Sequence, residues 1–186
     1  MQMLANHKRG KKDSRTARVI KASLPNELLL PELKKLCKDF VTNNFTSRGM
    51  CADIAIHRGQ NLEDTTKNNP HVHILLTDRP VDENGFLPKK DRTWNERDNI
   101  EQWRRGWANT QNRAYARNGL SIRVSHESYK ARGIDKEPRR YLSRIDYQLE
   151  QQGIQTARGN ENRRIKVRNQ ERVQQQERNN RREHSR

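Results

Sequence analysis

The sequence predicts an α+β fold: an antiparallel sheet with helices packed on one face, followed by a basic C-terminal helix. Three observations carry this. Residues 52–56 and 72–76 alternate apolar and other side chains at the period of two that a half-buried strand requires. Residues 31–45 and 95–118 repeat apolar side chains at three and four, the spacing of an amphipathic helix. Beyond residue 157 the apolar residues thin out while Arg, Gln and Glu accumulate.

Residues 1–16 form a basic, polar N-terminal segment without the apolar stretch of a secretory signal. Residues 17–24 alternate loosely and read as a strand. A helix over 31–45 starts with Pro31, which suits a first turn, and buries Leu33, Leu36, Cys37, Phe40 and Val41; Gly49 ends it. In the strand over 50–57, Ala52, Ile54 and Ile56 share one face, and Asp53, Ala55 and His57 the other. Residues 58–69 are polar and turn-rich, hence a loop. In the strand over 71–78, Val72, Ile74 and Leu76 form the apolar face; His71, His73, Leu75 and Thr77 form the other.

Residues 79–93, with Pro80, Gly85 and Pro88, read as a second loop. Asn95 is positioned to cap a helix running to about residue 118, with Asp98 in its first turn and Ile100, Trp103, Trp107, Ala114 and Tyr115 as its buried stripe. Gly119 ends it. Residues 120–124 read as a short strand, 128–137 as a loop, and 138–152 as a helix closed by Gly153. Asn160 opens a last helix. The domain reading is a basic segment 1–16, one domain over 17–157, and a basic, helical or partly disordered tail over 158–186.

Charge narrows the partners. With 39 Lys and Arg against 23 Asp and Glu, the formal net charge is +16, which favours a polyanion. No apolar run is long enough for a membrane span, so membrane insertion is not expected. The two cysteines, Cys37 and Cys51, fall on segments read as core-packing. They look like buried thiols of a reducing, cytoplasmic compartment and not a disulfide framework.

His71 and His73 are two apart on one strand and so share a face. If the strands over 50–57 and 71–78 are antiparallel neighbours, His57 ends beside them. Three neutral imidazoles are a ligand set for a divalent metal, and they leave positions open for a substrate. Asp53, on the face of His57, is a candidate to orient one ring. From the residues alone, a metal site and a merely polar trio both stay open. Arg58, Arg79, Lys89, Lys90 and Arg92 are candidate phosphate contacts near the proposed site. Trp94 is a candidate base-stacking side chain, against the alternative that it covers a core edge. Arg132, Lys136, Arg139 and Arg140 form a second basic group. His126 is read as a polar surface residue.

Several segments, in order, resemble one family. Asp53-Ile54-Ala55-Ile56-His57 and the run Asn69-Pro70-His71-Val72-His73-Ile74-Leu75-Leu76-Thr77-Asp78-Arg79 resemble the metal-binding motif of the MobA/MobL relaxases of mobilisable plasmids. Ala22-Ser23-Leu24-Pro25-Asn26-Glu27-Leu28 precedes a helix as in that family. Trp103-Arg104-Arg105-Gly106-Trp107-Ala108 with Asn112 resembles a later helix of it. Ser128-Tyr129-Lys130-Ala131-Arg132-Gly133-Ile134-Asp135-Lys136-Glu137-Pro138 and Leu149-Glu150-Gln151-Gln152-Gly153-Ile154 match two further segments, and residues 162–169 are also family-like. The similarity runs from about Arg15 to Asn169.

The resemblance implies a histidine-hydrophobe-histidine (HUH) relaxase-like fold, incomplete here at the N-terminus. It implies that His57, His71 and His73 hold Mg²⁺ or Mn²⁺. The implied reaction is site- and strand-specific nicking of transfer-origin DNA, in which a tyrosine attacks a phosphodiester and leaves a 5′-phosphotyrosyl bond. The implied partners are single-stranded DNA at a transfer origin and accessory mobilisation proteins. Two departures stand out. The family's nucleophilic tyrosine lies near the N-terminus, whereas Tyr115, Tyr129, Tyr141 and Tyr147 all follow the histidines, with Tyr141 where relatives carry histidine. The loop between His57 and His71 is also longer. The expectation is an N-terminally truncated relaxase whose nucleophile is absent, its standing as an enzyme open. The rival readings are a DNA-binding protein without catalysis and a metal-dependent nuclease that uses activated water.

Overall fold

A computed structural model of the chain describes residues 16–59 and 68–184. It is mixed α+β and separates into two units that meet in sequence between His126 and Glu127. In order, the first unit holds β1 (Ala17–Ser23), α1 (Leu30–Asn44), β2 (Ala52–His57), β3 (His71–Thr77), the hairpin strands β4 (Val81–Asp82) and β5 (Gly85–Phe86), and α2 (Arg97–Arg117). The second holds α3 (Arg144–Gln151) and α4 (Ala157–His184). The proposed N-terminal basic segment, residues 1–16, lies almost entirely outside the described residues.

The first unit is built on a three-stranded sheet in the order β1-β3-β2, with β3 antiparallel to both neighbours. β1 and β2 are therefore parallel to each other, and α1 makes the crossover between them while β3 fills the gap, a split βαβ unit. Val72, Ile74 and Leu76 of the central strand are fully buried, and Ile20, Ala22, Ala52, Ile54 and Ile56 of its neighbours pack beside them. α1 covers this face with the predicted stripe Leu33, Leu36, Cys37, Phe40 and Val41. Burial pushes the Cys37 thiol up to about 12.

An aromatic cluster joins α1 to α2. Phe40 meets Trp107 and Phe45 edge-on at centroid separations of 4.9 and 5.5 Å, and Phe45 lies 5.3 Å from Trp103 and 5.8 Å from Trp94. The helices approach closely at Gly106, where a Cβ would come within 2.9 Å of Asn44 Oδ1. That approach explains a glycine between two tryptophan-bearing turns of a long helix.

Several sequence expectations are corrected. Cys51 is exposed, because strand alternation carries it to the face of Asp53 and His57 and away from the core. Asn95 does not cap α2. A 3-10 turn over Arg92–Asn95, capped by Asp91, comes first, and α2 begins after Glu96. Ile100 is 52% exposed. The inward place in that first turn belongs to Asn99, whose Nδ2 donates to the Thr93 carbonyl at 2.7 Å. The loop over 79–93 contains the β4–β5 hairpin, turning at Gly85 (φ +109°).

Residues 120–124 form no strand. Asn112 holds them instead, its Nδ2 donating to the Val124 carbonyl and its Oδ1 accepting from the Val124 N–H, each at 2.9 Å. The helix expected over 138–152 is only Arg144–Gln151. Ser143 and Asp146 form a capping box that starts it late.

The same asparagine device organises the second unit. Asn162 of α4 bonds the N–H and carbonyl of Arg140, and Asn169 those of Glu137. Two helical turns, about 10 Å, match three residues of extended chain, also about 10 Å. The register between helix and extended segment is thereby closed at both ends, which keeps 137–140 out of a helix. Arg168 grips Glu137 through two 3.0 Å bonds, and Ile165 is the buried apolar contact of α4.

Candidate metal centre

The apolar face of the sheet is committed to the core, so period-two alternation sends the intervening residues to the opposite face. Strand pairing then decides which of them meet. His57 sits directly across from His71, and Ala55 across from His73. On the other side of β3, Ser23 pairs with His71 and Lys21 with His73. The three imidazoles form a triangle with ring centroids 5.1 Å (His57–His71), 4.9 Å (His57–His73) and 5.3 Å (His71–His73) apart.

Spacing and donor chemistry fit a metal. A metal–nitrogen bond of about 2.1 Å puts a ring centroid about 3.2 Å from the ion, so rings sharing an ion stand roughly 4.6–5.2 Å apart. Ring orientation is a separate matter. His57 and His71 lie nearly parallel, 8° apart and stacked. Stacked rings cannot aim their nitrogens at one point. As the rings stand, no three His, Cys, Asp or Glu side chains among the described residues are arranged to hold an ion. Rotation of one ring about its soft second side-chain torsion is the movement required.

The protonation states favour ligation. His71 Nδ1 lies 2.8 Å from the Asn69 carbonyl oxygen, which can only accept, so Nδ1 carries the proton and Nε2 is left with its lone pair. His73 is held below its ordinary value, first by partial burial and then by the charges of Lys21, His57 and His71. This favours the neutral, metal-binding form of the ring.

The other candidates fall in different places. Asp53 is on the histidine face but opposite Leu75, roughly 13 Å along β2 from His57. The Asn69 carbonyl, not Asp53, orients His71. Arg58 follows His57 directly and is exposed. Arg79 follows β3 at its far end, roughly 20 Å from His71. Lys90 is at that same end, 3.8 Å from Asp78, and Lys89 and Arg92 flank it in sequence. Expectation had placed these four beside the histidines, and the direction of β3 separates them.

Trp94 is no stacking platform. It is 2% exposed, lies against Phe45 and Trp103, and carries Arg48 over its ring at 4.0 Å. Tyr115 is buried in the core on the opposite side of the sheet from the histidines. Tyr129, Tyr141 and Tyr147 belong to the second unit. His126 faces Glu101 at 3.2 Å. Sequence reasoning missed Lys21 and Ser23, because nothing in residues 17–24 says which strand they pair with.

Several known proteins are similar to this chain. The chain is 30% identical to the conjugal transfer protein TraA of Agrobacterium fabrum over 166 residues, covering 76% of this chain and 14% of that protein. It is 27% identical to mobilization protein A of Escherichia coli, covering 78% and 22%. It is 31% identical to mobilization protein MobL of Acidithiobacillus ferridurans, covering 74% and 43%. The chain thus spans a minor part of the length of each. A solved structure from work on the molecular basis of vancomycin resistance transfer in Staphylococcus aureus superposes with a TM-score of 0.51 and 36% identity, over 61% of this chain and 58% of that one. The profile of the MobA/MobL family matches residues 4–152, and the chain belongs to that family.

Proposed function

We propose that the chain is a relaxase-type domain of plasmid mobilisation, and that its three-histidine face holds a divalent metal against a phosphate of single-stranded transfer-origin DNA. The observation that carries this is the triangle of His57, His71 and His73 on the solvent face of the sheet, with the core wholly on the other face. The relatives' names, conjugal transfer and mobilization proteins, supply the biological setting. The net charge of +16 supplies affinity for a polyanion. No helix among the described residues is long and apolar enough to cross a membrane.

A divalent ion held by these rings supplies positive charge to a phosphate oxygen. The chain's own residues do the rest. Asn69 sets the tautomer of His71, and partial burial, with the charge of Lys21 behind it, holds His73 below its ordinary value. Arg58, next to His57, extends the positive surface. The transesterification that the family resemblance implies needs a tyrosine hydroxyl at the phosphate. The proposal concerns the part of that reaction that holds the phosphate.

The test is Mn²⁺ titration of the full chain by calorimetry, beside anisotropy of a fluorescent single-stranded oligonucleotide with Mn²⁺ or with chelator. Wild type takes up one Mn²⁺ and binds the oligonucleotide more tightly with it. His73→Ala loses both effects but keeps the salt-dependent binding. Equal Mn²⁺ uptake by wild type and His73→Ala overturns the proposal. A covalent adduct between the protein and DNA supports the relaxase reading, and metal-dependent cleavage without an adduct favours a nuclease that uses activated water.

A further inference from the structure

Lys21 stands beside the histidine triangle and was not part of any sequence motif. β1 pairs Lys21 directly with His73, so the two side chains leave the same face of the sheet from neighbouring positions, with Cβ atoms about 5 Å apart. Lys21 is exposed and alternates with the half-buried Ile20 and Ala22, which face the core. The acid of this face, Asp53, is across β3 and one pair further along, opposite Leu75.

A lysine in this place opposes the cation that the histidines would hold, since like charges repel. An anion reverses the balance, because a phosphate seated between them is attracted by both. The two positions next along the face, Val19 and Leu75, are paired with each other and are 61% and 44% exposed. They offer a flat apolar surface beside the charge, suited to a nucleotide whose sugar and base lie over it while its phosphate turns toward Lys21. A duplex has no free base to lay there, so the surface favours a single strand. The competing explanation is that Lys21 only blunts the edge of the described sheet, as edge lysines do.

We propose that Lys21 binds a phosphate of single-stranded DNA laid across the histidine face. This rests on reading that face as the DNA-binding one and adds a residue to it. The experiment measures binding of a single-stranded oligothymidylate to the full chain, with Mn²⁺ and with chelator, over a range of salt. It compares wild type, Lys21→Met, Lys21→Arg and Lys35→Met. Lys35 is exposed on α1, the helix that covers the opposite face of the sheet, and serves as the charge-matched control.

Lys21→Met is expected to weaken binding roughly tenfold and to flatten the slope of log K against log salt by about 0.7, the share of one single-strand phosphate. Arginine restores both, and Lys35→Met changes neither. If wild type takes up no Mn²⁺ but Lys21→Met still weakens binding, the metal reading fails and Lys21 stands as a phosphate contact. If Lys21→Met binds like wild type in both conditions, or Lys35→Met costs as much, the assignment of Lys21 is overturned whatever the metal does.

Discussion

The carbonyl oxygen of Asn69 lies 2.8 Å from Nδ1 of His71. That one contact fixes which nitrogen of the central histidine is free, and it does so from the residue two positions upstream, before β3 begins. A backbone carbonyl is always unprotonated and always an acceptor, so the tautomer holds at any pH where the ring is neutral. If His71 is a ligand, His71→Ala removes a donor whose geometry is already set. Mn²⁺ affinity is expected to fall by roughly 100-fold or more, beyond what losing an outer partner costs. Because His71 stands on the solvent face, stability changes by about 1 kcal/mol or less. Calorimetry and urea denaturation on the same sample check both. A large loss of stability with metal uptake intact assigns His71 to the scaffold.

The donor set also orders the metals. Three imidazoles without a carboxylate suit transition ions better than Mg²⁺, which prefers oxygen and surrenders water reluctantly. Among the described residues, the acid of this face, Asp53, is displaced along β2 toward Leu75 and adds no oxygen to the triangle. Mn²⁺ is expected to bind at least about tenfold more tightly than Mg²⁺. Competition between the ions, read by the Mn²⁺ electron-spin signal, decides it. Equal affinities would point to carboxylate or phosphate oxygens as the actual ligands.

Trp94 is the residue whose role the structure changed most. Its ring is sealed among Phe45, Trp103 and Arg48. The Thr93 hydroxyl is the main influence holding the Asp91 carboxyl below its ordinary value, and the Trp94 indole adds only the smallest contribution. By geometry the indole N–H has no hydrogen-bond partner among the described residues. Trp94→Ala is expected to cost about 3–5 kcal/mol and Trp94→Phe less than about 1.5 kcal/mol, since phenylalanine keeps most of the ring and deletes an unpaired donor. Fluorescence of Trp103 and Trp107, both in the first unit, follows the unfolding. Equal losses in the two variants would mean that the N–H makes a bond that matters.

How far the sequence reached depends on which force places each residue. Alternation put Val72, Ile74 and Leu76 inward, and with them His71 and His73 outward, because a period of two cannot do one without the other. His57 followed from the antiparallel connection of the two strands. Lys21 did not, because β1 reaches β3 across the crossover of α1, and no local signal marks that pairing. The basic residues Arg79, Lys89, Lys90 and Arg92 were misplaced because nearness in sequence was taken for nearness in space along a strand about 20 Å long. Residues 120–124 and 138–143 were misread for a different reason. Their backbone partners are the amides of Asn112 and Asn162, side chains that leave no periodic trace.

The second unit carries a pH dependence of its own, centred on Glu150. Its carboxylate accepts from Arg163 at 2.6 Å and from the Thr156 N–H and hydroxyl at 2.6 and 2.9 Å, tying the end of α3 to the start of α4. The Arg163 bond is the largest influence and, with Thr156, lowers Glu150 from 4.5 to about 2. A carboxyl depressed in the folded state contributes stability that is fully present above the unfolded value and is lost as pH falls through the folded one. The window is therefore from about pH 4.5 down to about pH 2. Glu150→Gln should show a lower melting temperature at pH 6, and its melting temperature should fall less steeply across that window than that of wild type. Circular dichroism at the helix band reads the second unit together with the first, while tryptophan fluorescence reads the first alone, since all three tryptophans lie there. The fluorescence transition is expected to be the same in both proteins. A parallel acid loss in wild type and Glu150→Gln would show that the carboxylate's bonds do not hold α3 to α4.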